Sequence, residues 1–227
     1  MTDPIDSRPP LVIDIVSDVV CPWCYVGKRR LEAALAERAD DDITVRWHPF
    51  QLDPTIPAGG LDRRDYMIKK FGSAERIDEI HGRLTEAGRG EGLEFAFDRI
   101  TRSVNTLDAH RVLHWAAAAG VQDAVAEALF RAYFVDGRDI GSPAVLADLA
   151  ASAGLNGVEV AEALAGSRDI ELIQAEIAQA VRIGVSGVPF FIFAQSFAVS
   201  GAQAADVLAT AIDRARAELA SPAPMTA

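Results

Sequence analysis

A mostly apolar run, Leu11 to Ser17, leads into Cys21-Pro22-Trp23-Cys24, and a helix-like segment, Tyr25 to Ala39, follows directly. Few folds accommodate all three pieces in that order. The run is rich in Val and Ile and has the length of a buried strand. A proline at the first helical position gives up no hydrogen bond the helix needs, and its fixed φ suits a helix start. Cys21 is then the N-cap and Cys24 lies inside the first turn. Two thiols so placed can close into a disulfide and reopen, and amides at a helix N-terminus favour the thiolate of the first sulfur. The outer thiol, Cys21, becomes the attacking group and Cys24 resolves the mixed disulfide. These are the only cysteines in the chain.

A C-x-x-C pair is also half of a zinc site, whose remaining ligands would come from His48, His81, His110 and His114. His110 and His114 stand four apart on a helix-like segment and so share a face. The separation of Cys24 from His110 matches no compact zinc module, and zinc explains neither the strand before the pair nor the proline within it. A C-x-x-C beside a βα pattern favours redox chemistry over metal.

The chain has 227 residues, half of them hydrophobic, and a formal net charge of −11. The length suits one large domain or a domain with a big insertion. The acidity argues against a phosphate-binding surface, so nucleic acid is not an expected partner. Met1 to Pro10 lacks a basic region followed by an apolar one of secretory type, and no run reaches the length of a membrane span. A soluble, cytoplasmic protein without a membrane partner is expected. In a reducing cytosol a lasting structural disulfide is disfavoured and a transient, catalytic one is favoured. No cofactor is called for beyond the cysteine pair, with glutathione an available co-substrate.

Along the chain, Met1 to Pro10 reads as a flexible lead. Asp14 interrupts the first strand, where an ionised carboxylate is costly unless paired or protonated. It is either a proton acceptor serving Cys24 or a strand-edge carboxylate bonded to a basic neighbour. Asp18 is open to the same two readings, a carboxylate serving the pair or one that simply holds the turn before Cys21. Val26, Leu31, Ala34 and Leu35 form the inner side of the first helix, and Lys28, Arg29 and Arg30 read as its solvated face. Ile43 to Leu52 reads as a second strand with His48 at the surface or strand end. The Pro- and Gly-rich stretch Asp53 to Gly60 closes this unit.

Leu61 to Gly166 is almost wholly helical in pattern. Its segments are bounded by Asp62 and Gly72, Ser73 and Gly88, Asn105 and Gly120, and Ser142-Pro143 and Gly154, with another over Asp123 to Val135. Leu93 to Phe97 interrupts the block as an aromatic loop, and Phe95 and Phe97 face the redox pair or fill a core. A long helix runs from Ser167 to Gly184. Pro189 then opens an apolar strand to Phe193, and since proline cannot donate to a sheet ladder, it belongs at a strand start. Phe197 to Ser200 is a short strand, Ala202 to Leu219 the last helix, and Ser221 to Ala227 a tail.

The order strand, C-P-W-C, helix, strand, helical block, G-V-S-G-V-P-F-F-I-F, strand and helix resembles the DsbA-like branch of the thioredoxin superfamily, especially its FrnE-like cytoplasmic members. The resemblance runs from about Leu11 to Leu219. It implies an α/β thioredoxin-like domain made of residues 11–60 and 167–220, an inserted all-helical domain over 61–166, and terminal segments 1–10 and 221–227 outside both. It also implies a cis Val188-Pro189 bond lying against the sulfurs, with the Val188 backbone pairing with substrate and Pro22 and Trp23 at the substrate surface. The expected activity is thiol–disulfide oxidoreductase or isomerase, acting on protein or small-molecule thiols and disulfides.

The kinship extends to 2-hydroxychromene-2-carboxylate isomerases and kappa-class glutathione transferases, which typically carry serine in place of the first cysteine. A glutathione-dependent isomerase or transferase is therefore the alternative. The segment starting Asn105-Thr106 looks like one that borders the ligand cleft in those relatives, although Asn105 is also a good N-cap. Ala-lined helical faces suit either internal packing or a homodimer.

Overall fold

The computed structural model describes residues 10–38 and 42–221. The expected lead before Pro10, the expected helix end at Ala39 and the tail beyond Ser221 lie outside the described residues. Chain order gives β1 (Leu11–Ser17), α1 (Pro22–Ala36) and β2 (Ile43–Pro49), and near the C-terminus α8 (Ile170–Arg182), β5 (Phe190–Phe193), β6 (Phe197–Ser200) and α9 (Ala205–Ala220). The sheet order is β2-β1-β5-β6. β1 runs parallel to β2 and antiparallel to β5, and β5 is antiparallel to β6.

β1 is central and covered on both faces, which explains its nearly unbroken apolar run. Ile13 and Ile15 join Val26 and Leu31 of α1 and Leu208 and Ile212 of α9 in the main core. Val16 packs with Phe50 and with Ala180 of α8 in a second cluster. Successive strand side chains alternate between faces, so Asp14 shares the α8 face with Val16, and α1 covers the other. The outer edge of β2 is capped by a side chain: Gln122 accepts from the Trp47 amide and donates to the Trp47 carbonyl, both at 2.9 Å. This occupies part of an edge that would otherwise offer itself to another strand.

Residues 61–166 hold β3 (Leu61–Asp62), α2 (Arg63–Phe71), α3 (Ala74–Gly90), β4 (Arg102–Ser103), α4 (Leu107–Ala118), α5 (Gln122–Phe134), α6 (Pro143–Ser152) and α7 (Gly157–Ala165). Asp62 and Ser73 cap α2 and α3 by accepting from the Asp65 and Arg76 amides. At α6 Ser142 makes no side-chain cap bond, and Pro143 alone marks the start. Two features depart from the sequence expectation. The break in the helical block contains β4, which pairs with β3, and α7 is a separate helix capped by Asn156.

The basic cluster of α1 is also not a solvated face. Lys28 is 3 % exposed and pairs with Glu32, with Asp123 at 3.1 Å and with Glu127 at 3.3 Å. Arg29 binds Glu32 and Glu127, and Arg30 binds Glu91 at 2.6 Å. Burying an ammonium requires such compensation, and the partners on α5 tie α1 to the helical block. Beside them Tyr25 stacks on Phe130, ring centroids 5.1 Å apart, and Phe95 meets Phe134 edge-on.

Arg111 fixes the route from α7 into α8. It is 1 % exposed and donates to the carbonyls of Ala163, Gly166 and Arg168 and to Asp108. It thereby supplies donors to carbonyls at the C-terminal end of α7 and in the link that leads to α8.

Candidate active site

The turn after β1 delivers both cysteines. The Asp18 carbonyl accepts the Cys21 amide at 2.9 Å and the Cys21 carbonyl accepts the Cys24 amide at 3.0 Å. Cys21 is the N-cap of α1 with Pro22 at the first helical position, as the sequence predicts. Both thiols are free and buried, Cys21 at 4 % and Cys24 at 1 % exposure.

The two sulfurs have different surroundings. Burial first, and then the adjoining Cys21 side chain, push the Cys24 thiol well above its ordinary value. The Ser17 hydroxyl and the Asp18 amide pull the other way without compensating. Cys21 lines a cavity of about 380 Å³ and Cys24 does not. The Cys21 thiol donates to the Val188 carbonyl at 3.6 Å. The Val188-Pro189 bond is cis.

Gly27, one turn beyond the pair, lets that strand approach. A Cβ there would stand 3.0 Å from Pro189 Cγ and 3.1 Å from Phe191 Cζ. Sequence reasoning passed over Gly27, although a glycine inside a helix is a signal of close approach.

The cavity lies between the redox turn and the helical block, with Pro22, Trp23, Val188 and Thr106 on its wall. Trp23 is 41 % exposed. Asn105 does not line it: its Oδ1 accepts from the Leu107 amide and from Gln51, and its Nδ2 donates to the Ile56 carbonyl. The N-cap position of α4 is Thr106, not Asn105; Asn105 braces the turn before it, and Thr106 is the residue of this pair that reaches the cleft. Phe97 lines the cavity, and Phe95 is buried in the aromatic core.

Asp14 is placed away from the pair. It meets His48 at 2.8 Å, on the face of β1 opposite α1, so the pairing with a basic neighbour is the reading that fits, on a central strand and not at an edge, and a proton acceptor for Cys24 is not. Asp18, by contrast, is 1 % exposed and lines the cavity with Cys21. The histidines are dispersed. His110 Nε2 meets the Phe50 carbonyl at 2.9 Å, His81 stacks on Phe97, and His114 lies 3.9 Å from Glu176. Among the described residues no three His, Cys, Asp or Glu side chains stand together as metal ligands.

A strand feeding a helix-capping cysteine pair, with a cis-proline strand start against the outer sulfur, defines the thioredoxin class of fold. The chain matches the DSBA-like thioredoxin domain over residues 12–213 and belongs to that family of enzymes. It is 33 % identical to a probable DsbA oxidoreductase from Streptomyces coelicolor, with a TM-score of 0.84 over 95 % of this chain and 93 % of that one. It is 28 % identical to the uncharacterized protein YwbO of Bacillus subtilis (strain 168), over 88 % of this chain and 94 % of the relative. The cytosolic disulfide reductase DsbM of Pseudomonas aeruginosa, in a structure with GSH, shares the fold at a TM-score of 0.61 and 24 % identity, covering 92 % of this chain and 96 % of that one. Among the described residues no helix is long and apolar enough to cross a membrane.

Proposed function

We propose that the chain is a thiol–disulfide oxidoreductase in which Cys21 is the nucleophile and Cys24 the resolving thiol. The observation that carries this reading is the asymmetry of the pair: Cys21 faces a cavity and the Val188 carbonyl, while Cys24 is sealed behind it. Cys21 thiolate attacks a substrate disulfide, forming a Cys21–substrate bond and releasing one substrate thiolate. Cys24 then loses its proton and attacks Cys21, closing the intramolecular disulfide and releasing the second thiolate. The reverse sequence oxidises a substrate dithiol. Val188 offers a backbone edge to an extended substrate, Pro189 limits competing ligands at the sulfurs, and Trp23 and Pro22 form part of the contact surface. Residues 11–60 and 167–220 form the redox domain in this reading, and 61–166 the insertion that walls the cavity.

A reducing, cytoplasmic setting suits a pair that cycles, and the cytosolic neighbour DsbM supports it. That neighbour's structure with GSH, and the cavity beside Cys21, also favour a second reading in which glutathione is bound for isomerisation or transfer on a small molecule. Cys24→Ser separates the two. Under dithiol exchange it accumulates mixed disulfides and turnover falls by at least about 100-fold, because the escape step is removed. A glutathione-dependent isomerase would keep its activity.

A further inference from the structure

We propose, building on the dithiol reading, that the cavity beside Cys21 takes a low-molecular-mass disulfide carrying both an amine and a carboxylate, the amine held by Asp18 and the carboxylate by Arg63. The cavity contains one open charge of each sign. Asp18 Oδ2 accepts from the Leu52 amide at 2.8 Å, whereas its buried Oδ1 has no hydrogen-bond partner. The imidazole nearest it, His110 Nε2 at 3.6 Å, is engaged with the Phe50 carbonyl. Arg63 donates to the Tyr133 hydroxyl at 3.1 Å and makes no ion pair among the described residues.

The other two charges on the wall offset each other. Lys70 donates to the Tyr66 hydroxyl, which donates to Asp53. Ser103 and His81 stand on the same wall, and Ser103 Oγ and His81 Nε2 are likewise buried without hydrogen-bond partners. Buried polar atoms left unpaired are costly, and several of them around one cavity mark where a ligand's polar groups belong. The volume of about 380 Å³ falls in the range of small-molecule sites. The remaining wall includes Val20, Met67, Leu84 and Phe97, which suit the ligand's carbon skeleton.

A net charge of −11 gives the chain no general attraction for anions, so Arg63 is a local device. The backbone of a polypeptide segment laid along Val188 brings no such pair of charges, because its amines and carboxylates are joined as amides. In the reaction, Cys21 breaks the ligand's S–S bond and Cys24 displaces the bound half. The protein dithiol, with Cys21 as thiolate, is oxidised by two electrons, and the disulfide is reduced to one thiolate and one thiol, the latter taking the Cys24 proton.

The test oxidises the reduced protein with cystine, cystamine and 3,3′-dithiodipropionate, each rate divided by that of the same disulfide with dithiothreitol to remove intrinsic reactivity. The amphoteric cystine is expected to be faster than either analogue, each of which carries charge of one sign only, by roughly tenfold. Arg63→Gln removes its advantage over cystamine, and Asp18→Asn its advantage over dithiodipropionate. Equal normalised rates for the three, or variants that slow all three alike, overturn the proposal. Because Asp18 is buried, the wild-type comparison and Arg63→Gln decide the matter even if Asp18→Asn does not fold. Failure of the dithiol reading is distinguishable, since none of the three would then yield a Cys21–Cys24 disulfide.

Discussion

The division of labour between the cysteines rests on burial. Desolvation disfavours a thiolate at Cys24, while Cys21 has the open cavity and the helix N-terminus in front of it. Iodoacetamide at pH 7.5 should therefore modify Cys21 and leave Cys24 unlabelled in the folded, reduced protein, which peptide mapping by mass spectrometry reads directly. Labelling of both at comparable rates would remove the basis for assigning the roles. The chemistry of this pair was legible in the sequence because everything it needs is local: a strand, an N-cap cysteine, a proline and a second thiol one turn on. Asp14 was not, since β1 is apolar on both faces and its run does not say which face looks at α1. The structure puts Asp14 with His48 and makes Asp18 the carboxylate that belongs to the site.

At the level of elements, the site depends on how closely α1 meets β5. Gly27 leaves no room for a branched side chain against Pro189 and Phe191. Gly27→Val should destabilise the fold by about 1–3 kcal/mol through overpacking, and it should also slow oxidation of the pair by displacing Pro189 from Cys21. Denaturant unfolding together with the oxidation rate checks both, and an unchanged midpoint would mean that α1 yields more easily than the packing implies. Cap residues such as Asp62 and Ser73 announced their helices because a cap bond spans three residues. Lys28 could not announce its burial, for two of its partners, Asp123 and Glu127, lie far along the chain on α5.

Across the whole molecule, that charge cluster couples the helical block to the redox turn and gives stability a pH dependence. Burial alone would raise the Glu127 carboxyl, but the Tyr25 hydroxyl, Lys28 and Arg29 outweigh it and hold it below the ordinary range. A depressed folded value contributes stability that is present above the unfolded glutamate's pKa of about 4.3 and is lost as pH falls through the folded value. Lys28 has the opposite sign. Its burial would lower it, but Asp123, Glu32 and Glu127 prevail and raise it. Its contribution is present below the unfolded lysine's value of about 10.4 and is lost as pH rises through the folded one. Glu127→Gln should cost about 1–2 kcal/mol near neutrality, less than for a fully buried pair because its side chain is 30 % exposed. It should also flatten the acid limb of the stability curve. Urea unfolding from pH 3 to 8 measures both, and an acid limb parallel to that of the wild type would place the titrating group elsewhere.

A dithiol oxidoreductase requires that Cys21 and Cys24 form a reversible couple. Equilibrating the protein across a glutathione redox buffer, with the disulfide read by mass and metal content determined on the same sample, tests it. The prediction is a two-electron transition between dithiol and Cys21–Cys24 disulfide, without stoichiometric zinc, abolished by Cys21→Ser or Cys24→Ser. A protein that stays dithiol at every ratio, or retains zinc on the pair, would contradict it.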